Sequence, residues 1–180
     1  MNMIEKIQTN LGFQPLEKIN PNTQETSGKD PLLGNNALAQ AAIPAILLGI
    51  YNRLETDPEY IREAEPAGKI MESIFGNATV TVVRKIEDYC KISDKHNVQQ
   101  LEHIACEAKR LLKENIGETA NENSIRNFVA NNKFDTLLYL PPSMDLGGLL
   151  KNNNLDDRTG KMEGPVSNLM HRVEKSFSHS

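Results

Sequence analysis

Tryptophan is absent from this 180-residue chain, aromatic residues make up only 5% of it, and there are just two cysteines. The scarcity of flat side chains removes the stacking platforms on which single-stranded nucleic acids are held. Two cysteines outside any CxxC pair, Cys90 and Cys106, exclude a disulfide scaffold and point to a reducing compartment. No glycine-rich phosphate loop, nucleophile elbow or familiar metal-finger spacing occurs. The N-terminus, MNMIEKIQTN, lacks a basic region followed by an apolar one, so no signal peptide is expected and a cytoplasmic location follows. Net charge is -4, which gives no broad attraction for phosphate backbones; general nucleic-acid binding is not expected, with only Lys109 to Lys113 as a local basic patch.

Only one stretch must be buried, NALAQAAIPAILLGIYNRLET at 36–56. It is apolar on nearly all sides from Leu38 to Tyr51. It is short for a bilayer crossing, carries Gln40, and ends in Asn52, Arg53 and Glu55, so it reads as the central helix of a helical core. Asn35 or Asn36 is placed to cap it, and Pro44 should bend it or divide it into an entry turn and a body.

Helical periodicity fills most of the remainder. Residues 2–11 form a short amphipathic helix stopped by Gly12, followed by a polar linker from Pro15 to Asn36 with one helical turn expected at Leu16 to Ile19. Asp57-Pro58 starts another helix that Pro66 interrupts. A second piece places Ile70, Met71, Ile74 and Phe75 on one face ahead of Gly76-Asn77. In ATVTVVRKIEDYCKIS the valines favour a strand, but Val82, Val83, Ile86, Tyr89 and Cys90 fit helical spacing better. Ser93 or Asp94 then caps a long helix to about Asn115, with a stripe of Leu101, Ile104, Ala105, Ala108, Leu111 and Leu112, ended by Gly117. Thr119 and Glu122 have capping-box spacing before a short helix through Ile125, Phe128 and Val129. DTLLYLPPSMDLGGLL, broken by Pro141 and Pro142, reads as a short helix, a break and a second short helix.

The expected fold is therefore all-α: a single compact multi-helix domain with kinked central helices and a C-terminal amphipathic helix. It divides into an N-terminal helix and linker (1–33), a helical core (34–150), and a polar loop with the last helix (151–180). Gly follows Pro by five residues at both Pro44 to Gly49 and Pro142 to Gly147, the echo that two related helical units would leave.

LAQAAIPAILLGIYNR, then IMESIFGN and the helix VVRKIEDYCKIS, resemble the YidB-like bacterial helical proteins of unknown function, over about residues 34–95 and 137–150. The resemblance implies an all-helical bacterial protein, cytoplasmic or envelope-associated, and transfers no catalytic residue. Lys91-Ile92-Ser93 departs from it, standing where that family tends to have glycine.

Three sets of residues invite chemistry. Cys90, His96, His103 and Cys106 have zinc-ligand composition, with His103 and Cys106 on one helix face. Cys90 belongs to its own helix's apolar stripe, however, and the spacing suits structural or surface roles better. Asn152, Asn154, Asp156 and Glu163 overlay a calcium loop, but Asp157 occupies the position where that loop needs glycine, which favours a solvated connector. Glu55, Asp57, Glu59, Glu63 and Glu65 crowd an exposed helix start, where negative charge is favourable, rather than forming two acids in contrasting environments. No catalytic residue, metal site or cofactor is assigned. The remaining candidate is the interaction face Val166, Leu169, Met170, Val173 and Phe177 on the C-terminal helix, adaptable enough for its own core or for another chain. The reading is a non-enzymatic helical interaction or scaffold module, self-associating or bound to a protein partner. The alternative is a small-ligand or metal-binding protein with its cavity near Pro44 and Pro142.

Overall fold

The computed structural model describes residues 2–19, 35–64, 68–91 and 95–148. Among them the elements are helical: α1 (Met3–Asn10), α2 (Asn35–Thr56), α3 (Ile70–Phe75), α4 (Thr79–Cys90), α5 (Lys95–Ile116) and α6 (Glu122–Leu137). Short 3-10 turns lie at Pro58–Arg62, Gly76–Ala78 and Pro142–Met144. The protein is all-α, and the helical reading of Thr79–Cys90 holds over the strand alternative because Val82, Ile86 and Cys90 are buried along one side.

α2 is the axis of the structure. Every residue from Ala37 to Tyr51 is buried, and α1, α3, α4, α5 and α6 all pack on it. A helix with no polar face has this as its stable solution in water: it is surrounded. By length and composition the stretch Asn36–Thr56 is also a candidate membrane span, yet 89% of its most apolar window is enclosed by the rest of the chain. Of the two outcomes expected at Pro44, division does not occur, since one helix runs through it from Asn35 to Thr56.

The other helices present one apolar side each. α1 starts with a reciprocal cap in which the Glu5 amide donates to the Asn2 side chain (2.8 Å) and the Asn2 amide to the Glu5 carboxylate (3.0 Å). Although the sequence grouped α1 with the linker, its Met3, Ile4 and Ile7 belong to the same buried cluster as α2. α3 is only six residues long and has no cap of its own. The Glu102 carboxylate of α5 supplies it, accepting from the amides of Ile70 (2.9 Å) and Met71 (3.4 Å). Gly117, at φ +85°, ends α5 in the left-handed turn that glycine takes without strain. Lys91 makes the same kind of turn after α4 at φ 56°, where a side chain costs roughly 1–2 kcal/mol.

Several expectations need correction. The turn at Leu16 to Ile19 is not helical; these residues form an extended strap whose Ile19 amide donates to the Leu138 carbonyl (2.7 Å). Asp57-Pro58 opens a single 3-10 turn to Arg62, with no cap bond from Asp57. α6 is capped by Asn121, which accepts from the Ser124 amide (2.9 Å), and not by Thr119. It also continues to Leu137, absorbing the first of the two short helices expected around Pro141. The second is only the turn Pro142–Met144. Pro44 to Gly49 is mid-helix while Pro142 to Gly147 is turn, so the echo does not mark two related units. Residues 149–180, where the polar loop and C-terminal helix are expected, lie outside the described residues.

Interlocking side chains tie this framework together. Gln40, buried on α2, accepts from the Glu17 amide (2.9 Å) and donates to the Glu17 carbonyl (2.9 Å) and the Tyr139 carbonyl (2.8 Å). Tyr60 is fully buried, its hydroxyl bonded to Ser73 (2.8 Å) and its ring covered by the ammonium of Lys109 at 3.9 Å and the guanidinium of Arg53 at 5.4 Å. Arg62 donates to the carbonyls of Glu118 and Ala120 and so holds the α5–α6 connection.

Candidate functional site

The sequence candidates separate in space or acquire ordinary partners. Cys90 is buried in the core, whereas Cys106 is exposed on α5. His103 and Cys106 do share an exposed part of α5, one turn apart, as their spacing requires. Among the described residues no group of three or more His, Cys, Asp or Glu gathers in a way that could hold a metal ion. The side chain of His96 and the loop Asn152 to Glu163 lie outside the described residues.

The acidic cluster is answered by cations one at a time. Lys133 Nζ reaches both Glu55 oxygens (2.7 and 2.9 Å), Arg53 lies 3.7 Å from Asp57, and Arg62 lies 2.6 Å from Glu59. Three acids each facing a separate base have no shared site in which their acidities would be driven apart. Glu63 is exposed, and Glu65 lies outside the described residues. The basic patch resolves in the same way: Lys109 is buried over Tyr60, Arg110 pairs with Glu107 and Glu114, and Lys113 lies 3.6 Å from Glu118. Glu107 also accepts from Asn10 of α1 (2.7 Å), and the bond from Arg110 holds its carboxyl below the usual carboxylate range.

What the fold does assemble is a depression of about 410 Å³ where the end of α1, the start of α2 and the first half of α5 meet. Its apolar side is Leu11, Phe13 and Ile104; its polar side is Gln14, Asn36, Gln100 and His103. α1 stops at Asn10, Gly12 turns the chain at φ +72°, and Phe13 and Gln14 are thereby brought beside α5. The turn is fixed by Gln8, whose side chain accepts from the Leu16 amide (3.0 Å). Neither Pro44 nor Pro142 borders this depression. Of its residues the sequence reading offered only His103 as a chemical candidate, and for a different chemistry; Gly12, Asn36 and Ile104 entered it only as a helix stop, a cap and part of an apolar stripe. The rest come from three distant segments whose convergence has no local sequence signal.

The two thiols make a clear experimental contrast. Burial, with Glu87 adding repulsion, pushes Cys90 from its usual 9.0 up to about 11. In native protein at pH 8, a thiol reagent is expected to modify Cys106 quickly and Cys90 only on unfolding, so one thiol titrates at first and two in denaturant. Fast labelling of both would show that α4 opens without global unfolding. The same burial makes stability fall as pH rises from about 9 to about 11, because the unfolded chain loses the Cys90 proton first. Tyr51, on α2, is raised by burial in the same sense, with the Thr136 hydroxyl offsetting part of it, and steepens the loss. Alkaline unfolding monitored by helix content measures it.

Comparison with known proteins gives no match to a family model, a curated protein or a solved structure.

Proposed function

We propose that this chain is a non-enzymatic helical interaction module that self-associates through its C-terminal stripe, Val166, Leu169, Met170, Val173 and Phe177. The observation that carries the reading is the spacing of those five residues, which places them on one side of a helix. Support comes from the described core as well. α2, the element most in need of cover, is already surrounded by α1, α3, α4, α5 and α6, so it does not require that stripe. Met162 and Met170 add unbranched side chains that conform to a partner's surface. The resemblance to YidB-like proteins fits a bacterial setting for such a module, cytoplasmic or envelope-associated.

Light scattering on the full chain and on a Val166→Asp, Leu169→Asp variant tests the proposal. The parent should exceed monomer mass, and the variant should return to monomer with its melting temperature unchanged. A parent that is already monomeric overturns self-association. A variant that keeps its mass but melts earlier overturns it too, and assigns the stripe to the protein's own core.

A second reading, a small-ligand protein, is favoured by the depression between α1, α2 and α5. Its volume lies at the lower end of the range in which small-molecule sites occur. It replaces the cavity expected at the prolines.

A further inference from the structure

Resting on that second reading, we infer that the depression takes a neutral, planar molecule with amide-type donors and acceptors on its edge, of the carboxamide or nucleobase kind. Three observations converge on this class. The first is size: about 410 Å³ accommodates a small ring system and leaves little for a flexible chain. The second is the apolar wall, in which the half-buried Phe13 ring stands beside Leu11 and the buried Ile104. An aromatic ring next to aliphatic groups favours a flat partner, which gains offset stacking as well as burial.

The third is the chemistry of the rim. Gln14, Asn36 and Gln100 each offer two N–H donors and an acceptor oxygen, and the His103 imidazole offers one donor and one acceptor when neutral. Among the described residues none of these four side chains makes a hydrogen bond or ion pair. Other amides on α1 and α5 are engaged within the protein. Gln8 holds Leu16, Asn10 holds Glu107, and Asn115 bonds the Leu111 carbonyl and Lys6. Among the described residues no Lys, Arg, Asp or Glu lines the depression. An ion would lose hydration there without meeting a fixed opposite charge, whereas an amide edge exchanges water bonds for equivalent ones.

Titration of isotope-labelled full-length protein with nicotinamide, followed in heteronuclear NMR spectra, tests the inference. Benzoate, of similar shape but charged, and cyclohexanol, of similar bulk but not planar, serve as parallel probes. The expected result is saturable shifts of the Gln14, Asn36 and Gln100 side-chain amides with nicotinamide at millimolar concentrations. Gln100→Ala should weaken binding about threefold to tenfold, the loss of one hydrogen bond, with the fold unchanged in the same spectra. Equal or tighter binding of benzoate or cyclohexanol at these residues would overturn the ligand class while leaving a site in place. Absence of saturable shifts with all three probes would overturn both the class and the reading of the depression as a ligand site.

Discussion

Replacing Gln40 with leucine is expected to destabilise the protein by about 2–4 kcal/mol, since the buried Tyr139 carbonyl and the half-buried Glu17 amide and carbonyl each lose a partner, at about 1–3 kcal/mol for a fully buried group and less where water reaches it. The amide of Gln40 is shared between two non-helical segments that pack on the bundle. It makes a two-way bond to Glu17 in the strap and a third bond to Tyr139 after α6. Leucine fills the same space but offers neither donor nor acceptor. The strap should therefore detach before the helices separate. Hydrogen exchange at the amides of Glu17 and Ile19 should accelerate far more than exchange within α2, and chemical denaturation should show the loss of stability. A cost below about 1 kcal/mol would mean that water substitutes for the side chain and that the clamp is not structural.

Gly49→Ala is expected to cost about 1–3 kcal/mol, opposite in sign to the gain of nearly 1 kcal/mol that glycine to alanine brings in an unobstructed helix. A Cβ at this position would stand 2.5 Å from Phe75 Cε1, 2.6 Å from Phe75 Cζ and 2.7 Å from Ile74 Cγ2. Both neighbours are buried on α3, so relief requires α3 to move away from α2 or the ring to leave its rotamer. Because α3 is capped by Glu102 of α5, such a shift also strains the α3–α5 contact. Thermal unfolding provides the measurement, and Gly49→Ala combined with Phe75→Leu should recover part of the loss. An alanine variant as stable as the parent would show that α3 docks more loosely than these distances imply.

The parts of this fold that sequence revealed are those governed by a strong local pattern. α2 was evident because almost nothing polar interrupts it, and α5 because its apolar stripe is continuous. α6 was underestimated because only Ile125, Val129 and Thr136 are buried along its length, and one of these is a threonine whose hydroxyl donates back to the Asn132 carbonyl. The one helical turn expected at Leu16 to Ile19 within the linker does not form because the conformation there is set by bonds to Gln8 and Gln40, residues on two different helices. The depression was invisible for a related reason: Phe13, Asn36 and Gln100 are neighbours only after α1, α2 and α5 have packed. For Cys90, His96, His103 and Cys106 the sequence itself favours structural or surface roles over zinc. Spacing along α5 placed His103 near Cys106 correctly, but the burial of Cys90 put the remaining thiol in the core.

The central position of α2 also has a cost during synthesis. Residues 35–56 leave the ribosome well before α5 and α6, and at typical elongation rates of about 5–20 residues per second the last covering helix lags by roughly 4–16 s. For that interval a greasy segment with no hydrophilic side is a target for chaperones and for neighbouring nascent chains. Cellular yield should consequently depend on translation speed and on holdase supply more than on the thermodynamic stability of the finished bundle.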